Sequence, residues 1–299
     1  MTKSLIKAAR LATQRTYFKE QLKPEDIGYS SNIFMFFGLP ATRLKDNPVF
    51  WTKKNSLYEL TLNRDQRYEI PSGCYARMNQ IFIDTEVKTK NTNVIDVGRS
   101  FHDYAHKLGY QSGRANRELV KQLVNYVTCS IRINKLDNDP NHIAGLQTFV
   151  AKAYDFYFDV PNPEQLSLAQ GKILLNEDYA KYIHKHAAPL DLMAIRTFSR
   201  NPLALDFYRF LAYRCNGLHK TISFPDHLLF EQLGTNLGED KITRNRLKII
   251  LRSIQSFWPG LKAKFEDGYF ELQPSPPAVQ TKLASSNPLS LTHELKGGL

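Results

Sequence analysis

From Lys241 to Lys264 the chain reads KITRNRLKIILRSIQSFWPGLKAK, with seven Lys or Arg residues and no Asp or Glu. With each residue set about 100° on from the last, Leu247, Ile250, Leu251, Ile254, Phe257 and Trp258 fall on one side of a helix. Arg244, Asn245, Lys248 and Arg252 fall on another. The first set can pack against a core, and the second projects cationic side chains and one amide, groups suited to phosphates and base edges. After Pro259-Gly260, residues 261–265 and 269–272 flank Asp267-Gly268, a strong short-range hairpin signal. Helix followed by hairpin is how a winged helix ends, so the stretch reads as a DNA-recognition helix entering a wing. Lys241 and Arg246 add to its charge, and Lys262 and Lys264 are placed to grip backbone. An amphipathic helix with basic residues outside is ordinarily a solvated surface helix. What sets this one apart is a run of one charge sign with no acidic residue within it, which self-repels unless something anionic offsets it.

The bulk composition agrees with a basic, folded protein. A chain of 299 residues suits about two domains, and 42% hydrophobic and 12% aromatic residues describe a globular class. The formal charge of +11 favours an anionic partner without separating nucleic acid from other anionic surfaces. No stretch approaches the roughly 20 continuous apolar residues of a membrane span, and the first residues lack the apolar core of a secretory signal. Cys74, Cys129 and Cys215 are odd in number and widely separated, which suits buried thiols in a reducing cytoplasm rather than structural zinc.

The pattern along the chain predicts an α+β fold, mostly helical, with two winged-helix domains (helix-turn-helix plus β-hairpin) in tandem. Residues 1–45 read as a basic N-terminal segment and connector, 46–163 as the first domain, 164–277 as the second, and 278–299 as a disordered tail. In the first, Ser56 to Leu62 alternates as a strand, Cys74 to about Lys88 is helical, and Val94 to Val97 is a short strand. Helices over Ser100–Leu108 and Gly113–Thr128 follow at helix-turn-helix spacing. On the latter, Arg114, Arg117, Lys121 and Asn125 lie opposite Leu119, Val120, Leu123, Val124 and Val127, repeating the chemistry of the later basic helix. Ser130–Ile133 and Thr148–Phe158 bracket a loop with Asp139-Pro140-Asn141 and read as a longer wing hairpin. Pro161-Asn162-Pro163 reads as the linker. In the second domain, Gly171–Leu175 is strand-like, Pro202–Arg214 is a largely buried helix, and Pro225–Leu233 with Thr243–Trp258 supplies another helix pair. From Pro274-Ser275-Pro276-Pro277 onward the Ser, Pro and Lys content predicts a mobile tail.

Several strings carry a resemblance. The earlier half has Ile70-Pro71-Ser72-Gly73, Ala76-Arg77, Thr85-Glu86 and Lys107-Leu108-Gly109. The later half has Pro189-Leu190-Asp191-Leu192, Pro202-Leu203-Ala204-Leu205-Asp206-Phe207-Tyr208, Tyr213-Arg214, Gln232-Leu233-Gly234 and Pro274-Ser275-Pro276-Pro277. In this order and spacing the chain resembles plasmid-encoded RepA-type replication initiators from about Leu39 to Val279. It departs where an apolar segment that usually carries Trp reads Ile222-Ser223-Phe224-Pro225. The resemblance implies a non-enzymatic cytoplasmic protein that binds directly repeated origin DNA (iterons), opens the adjacent AT-rich duplex and recruits the host initiator and helicase. It also implies a homodimer that represses its own gene while monomers occupy the repeats, and a first domain that serves dimerisation as much as DNA contact.

Other chemistries leave weaker traces. There is no Gly-rich Lys-Ser or Lys-Thr phosphate loop, so no ATP hydrolysis is expected. His102 and His106 at i,i+4 could face one metal ion, but no Glu stands between them. His184-Lys185-His186 with Tyr179 and Tyr182 is similar to the two imidazoles and tyrosine of metal-dependent nicking initiators. Here a charged Lys185 sits in a helical context, so neither catalytic residues nor metal or cofactor are expected. A repressor with the same DNA-binding units and no role in replication is the remaining alternative.

Overall fold

The computed structural model describes residues 22–55, 58–97, 105–106, 108–110, 113–136, 144–156, 171–234 and 240–279, with the backbone alone at 113, 114 and 240. The fold is α+β, with eight α-helices and several antiparallel sheets among these residues. They divide into an N-terminal unit, residues 29–31 and 39–187, and a C-terminal unit, residues 22–28, 32–38 and 188–279. The basic segment 1–21, the loop at Asp139-Pro140-Asn141, the linker at Pro161-Asn162-Pro163 and the tail from 280 lie outside the described residues, as does His102.

In the N-terminal unit, α2 (Gly73–Lys90) is the buried axis. Arg77, Asn79, Gln80 and Asp84 are buried along it, and each meets a partner, as a low-dielectric interior requires. The Arg77 guanidinium donates to the carbonyls of Pro40 at 3.0 Å and Gly73 at 2.8 Å. Asn79 donates to the Leu119 carbonyl at 2.9 Å, and the Asp84 carboxylate accepts from the Ser31 amide at 2.6 Å. Ser31 closes β1 (Ile27–Ser31), which leads into α1 (Asn32–Phe36). Strands β2 (Phe50–Lys54), β3 (Tyr58–Asn63), β5 (Ser130–Lys135) and β6 (Gly145–Phe149) form an antiparallel sheet in the order β2-β3-β5-β6. Period-two alternation puts Leu60 opposite Ile133 and Leu62 opposite Ile131, all four buried. Helix α3 (Gly113–Val127) buries Leu119, Leu123, Tyr126 and Val127, and packs on α2.

A second sheet joins β4 (Val94–Asp96), β7 (Ala151–Asp155) and β8 (Lys172–Leu175) in the order β4-β8-β7. Helix α4 (Glu177–His186) completes this unit; its Tyr179 hydroxyl meets that of Tyr126 at 2.5 Å in the buried interior.

Strand β9 (Ala187–Asp191) and helix α5 (Leu192–Phe198) open the main run of the C-terminal unit. Helix α6 (Pro202–Cys215) starts with Pro202 at its first position, and the Asn201 side chain accepts from the Ala204 amide. It buries Leu203, Phe207, Phe210 and Leu211. After it come β10 (Ile222–Pro225), α7 (Asp226–Leu233), α8 (Asp240–Phe257), β11 (Ala263–Glu266) and β12 (Tyr269–Leu272), with sheet order β10-β12-β11. Phe270 is the centre of this core, with ring centroids of Phe265, Phe224 and Phe207 at 4.9, 5.7 and 5.8 Å.

The same order recurs in both units: helix, strand, helix, helix and antiparallel strand pair, with the first strand pairing with the last. In the C-terminal unit this is α6, β10, α7, α8 and β11–β12. In the N-terminal unit it is α2, β4, the helical residues 105–106, α3 and β7–β8, with the β5–β6 hairpin interposed.

Four sequence expectations change. The hairpin beginning at Ser130 closes on β6 and belongs to the four-stranded sheet; Thr148–Phe158 is not one strand but breaks at buried Val150, because β7 leaves for the other sheet. The 161–163 segment falls between the paired strands β7 and β8, so β8 and α4 belong to the N-terminal unit and the division falls at 187/188. Residues 32–39 are not a connector: Ile33, Phe34, Met35, Phe37 and Leu39 are buried, and Gly38 (φ 65°) lies where a Cβ would meet Asp206 Oδ2 at 2.6 Å. Residues 274–279 are packed rather than mobile, since the Trp258 indole donates to the Pro276 carbonyl at 3.0 Å, the Ser275 hydroxyl accepts from the Lys262 amide at 2.9 Å, and Val279 is buried.

Candidate nucleic-acid interface

Helix α8 presents two chemically distinct faces because its apolar residues recur at 3.6-residue spacing. Thr243, Leu247, Ile250, Leu251 and Ile254, followed by Trp258, are buried. Lys241, Ile242, Asn245, Arg246, Ile249 and Arg252 are exposed, and Arg244 and Lys248 are partly covered. No Asp or Glu occurs between Lys241 and Lys264, so the charged side chains described on this outward face are all positive.

Its neighbours fix the position of the helix. Helix α7 ends at Gly234 in a left-handed conformation, Leu233 is buried, and the Gln232 amide donates to the Phe36 carbonyl, so each residue of the Gln-Leu-Gly string has a structural task. At the other end of α7, the buried Asp226 carboxylate forms an ion pair with Arg244, and the Asp226 amide donates to the Gly268 carbonyl at 2.9 Å. One aspartate thereby ties together the start of α7, the first turns of α8 and the hairpin turn. That turn has Asp267 at φ 47° and Gly268 at φ 82°. Positive φ at both central residues is the type I′ geometry that matches strand twist.

The sequence-selected residues therefore separate. Asn245 and Arg252 lie outward together, flanked by Lys241, Arg246 and Lys248. Arg244 is held by Asp226 and acts first as a positioning residue. Lys262 is exposed and in no ion pair among the described residues, whereas Lys264 pairs with Glu266 and lies 3.8 Å from Glu271. Those two carboxylates raise the Lys264 pKa and offset its charge. Ile242 and Ile249, which the periodicity left unassigned, stand on the outward face at 56% and 53% exposure. Their signal was available, since both fall outside the buried arc of the helix.

On α3, Arg117 and Lys121 are exposed, with Glu118 beside them, and Lys121 pairs with Glu69 at 3.0 Å. Asn125 is buried, its carbonyl oxygen accepting from the Glu69 amide, and so is not on an outward basic face. The Arg114 side chain lies outside the described residues. The chemistry of α3 thus repeats that of α8 only in part.

The nicking constellation is not assembled as one site. Tyr179 is fully buried, and burial pushes its hydroxyl pKa well above the ordinary value, away from nucleophilic use. The ring of Tyr182 stacks obliquely with that of His186 at 4.7 Å, one turn along α4. No cluster of three metal-ligating side chains occurs among the described residues. Cys129 and Cys215 are buried thiols, each pushed up to about 12 by desolvation. Among the same residues no helix is long and apolar enough to cross a membrane.

Comparison with known proteins adds an independent line. A family model described as plasmid-encoded RepA protein matches residues 70–223. No curated protein matches the chain. Two crystal structures of RctB, one of selenomethionine derivatives of domains 2 and 3 and one of domains 2–3, share its fold. Both align at TM-score 0.53 and 12% identity over 81% of this chain, covering 96% and 95% of theirs.

Proposed function

The chain belongs to the plasmid-encoded RepA family, and from that premise we propose that it is a plasmid replication initiator that binds repeated origin DNA without being an enzyme. Family membership supports the initiator role. The observation that supports the DNA contact is the outward face of α8, with Asn245 and Arg252 beside Lys241, Arg246 and Lys248, no carboxylate among its described side chains, and a hairpin following directly. In this reading each unit is a winged helix, α8 is the second unit's recognition helix, and β11–β12 is its wing.

Arg252 and Asn245 enter a major groove, where guanidinium and amide groups match guanine and adenine edges bidentately. Lys248, Arg246 and Lys262 attract the phosphate backbone. Arg117 and Lys121 of α3, with Arg114, face a neighbouring groove. Strand opening draws on binding energy or on host ATPases, since the chain has no phosphate loop of its own. Recruitment of the host initiator and helicase, self-repression by a dimer and a cytoplasmic, plasmid-associated location complete the reading.

Footprinting of the full chain on the DNA flanking its gene tests it. Protected repeats spaced by about one or two helical turns are expected, and uniform protection without repeats overturns the reading. A repressor without a replication role has the same interface. Placing the gene and its flanking DNA on a marker that has no replicon separates the two, because only an initiator sustains replication.

A further inference from the structure

The outward ridge of α8 alternates in a way that a purely phosphate-binding surface does not require. Ile242, Asn245, Ile249 and Arg252 follow one another at spacings of three, four and three residues, so they line one side of the helix. Both isoleucines are more than half exposed. A single exposed isoleucine needs no explanation. Two of them bracketing an exposed amide, within a field of Lys241, Arg246, Lys248 and Arg252, call for a partner that is anionic overall and carries small apolar projections at side-chain spacing.

The major groove of duplex DNA is that partner. Its one apolar group is the thymine C5-methyl, and an asparagine amide is matched to adenine N6 and N7. We infer that Ile249, with Ile242 one helical step beyond Asn245 on the other side, reads thymine methyl groups beside the adenine bound by Asn245. The helix then selects steps that contain A·T pairs. The inference rests on the DNA-binding reading of α8 and adds to it a hydrophobic source of sequence preference.

Uracil lacks only that methyl and keeps every hydrogen-bonding group of thymine. The full chain is used to select from a random-sequence duplex pool, and the best-bound duplex is resynthesised with uracil replacing thymine at one position at a time. At one or two positions uracil is expected to weaken binding about fourfold, the effect of burying one methyl group. Ile249→Ala should lose the same factor on the thymine duplex and bind the two duplexes equally at that position. Ile249→Val should keep part of the discrimination. The thymine-to-uracil ratio is internal to each variant, so a change in the folded fraction does not alter it. A selected sequence at which the unaltered protein shows no thymine preference, or an Ile249→Ala variant with full preference, overturns the methyl contact alone. Failure to enrich any sequence overturns the DNA reading of α8, and this inference with it.

Discussion

Replacing Arg244 by Ala should destabilise the C-terminal unit, rather than merely remove a base contact. The Asp226 side chain is 5% exposed and its partner Arg244 30% exposed. Removing one member of a buried pair costs about 3–5 kcal/mol because the remaining charge is left desolvated. Here the partial exposure of Arg244 lets water reach the carboxylate after truncation, which brings the expected cost to about 2–3 kcal/mol. The Asp226 carboxylate also sits in the first turn of α7, where the helix dipole favours it and limits the loss further. With a urea slope of about 1.5 kcal/mol per molar, the midpoint should fall by about 1–2 M. Trp51 and Trp258 are the chain's two tryptophans, so Trp258 fluorescence in a Trp51→Phe background reports this unit in the full chain. Asp226→Asn combined with Arg244→Met should cost less than Arg244→Ala alone, because no buried charge is then stranded. Cycles built from these variants should show a coupling of about 1–3 kcal/mol. Single substitutions that simply add, or an Arg244→Ala midpoint equal to that of the parent, would refute the positioning role.

Further expectations concern binding and pH. Asn245→Ala should cost about 1–3 kcal/mol in specific binding and relax one base position; an equal loss on every sequence, measured by competition with point-varied duplexes, would make it a backbone contact instead. Lys262→Ala should lower the slope of log affinity against log salt by about one unit, whereas Lys264→Ala should change it less, since Glu266 and Glu271 already offset that charge. His184 is held below its ordinary value of 6.5, first by burial and then by the Lys88 ammonium. The unfolded chain therefore takes up the proton first, and stability present above pH 6.5 is lost as the pH falls through that value toward the folded pKa. Urea midpoints followed by Trp51 between pH 7.5 and about 5 should show this decline, and His184→Gln should flatten it.

Local periodicity was enough to locate α2, α3, α6 and α8, because a helix that buries one side must repeat its apolar residues every three or four positions. It was also enough for the hairpin at Asp267-Gly268, where the turn needs two positive φ values that this dipeptide supplies. Residues 32–39 escaped because a short apolar run carries no period. Their burial follows from the helix α6 residues they meet, through Asp206 at Gly38 and Tyr213 against Phe36.

The sequence alone determined which helix is amphipathic, that its polar side is cationic, and where the chain must turn, since these depend on residues close together in the chain. Strand partnership depends on residues far apart, so only the tertiary structure decided that β8 returns to β4 and that β7 and β8, which precede and follow Pro161-Asn162-Pro163 in sequence, pair with each other in one unit. The same holds for the basic face. Composition counted Arg244, Lys264 and Lys121 as free cations, but folding brings Asp226 and Glu69 to Arg244 and Lys121 from other elements, and sets Glu266 of the same strand and Glu271 from across the turn beside Lys264. What remains outward on α8 is a narrower ridge of Asn245, Arg252 and two isoleucines, flanked by Lys241 and Arg246, because charge is written in the sequence but its neutralisation is set by what packs beside it.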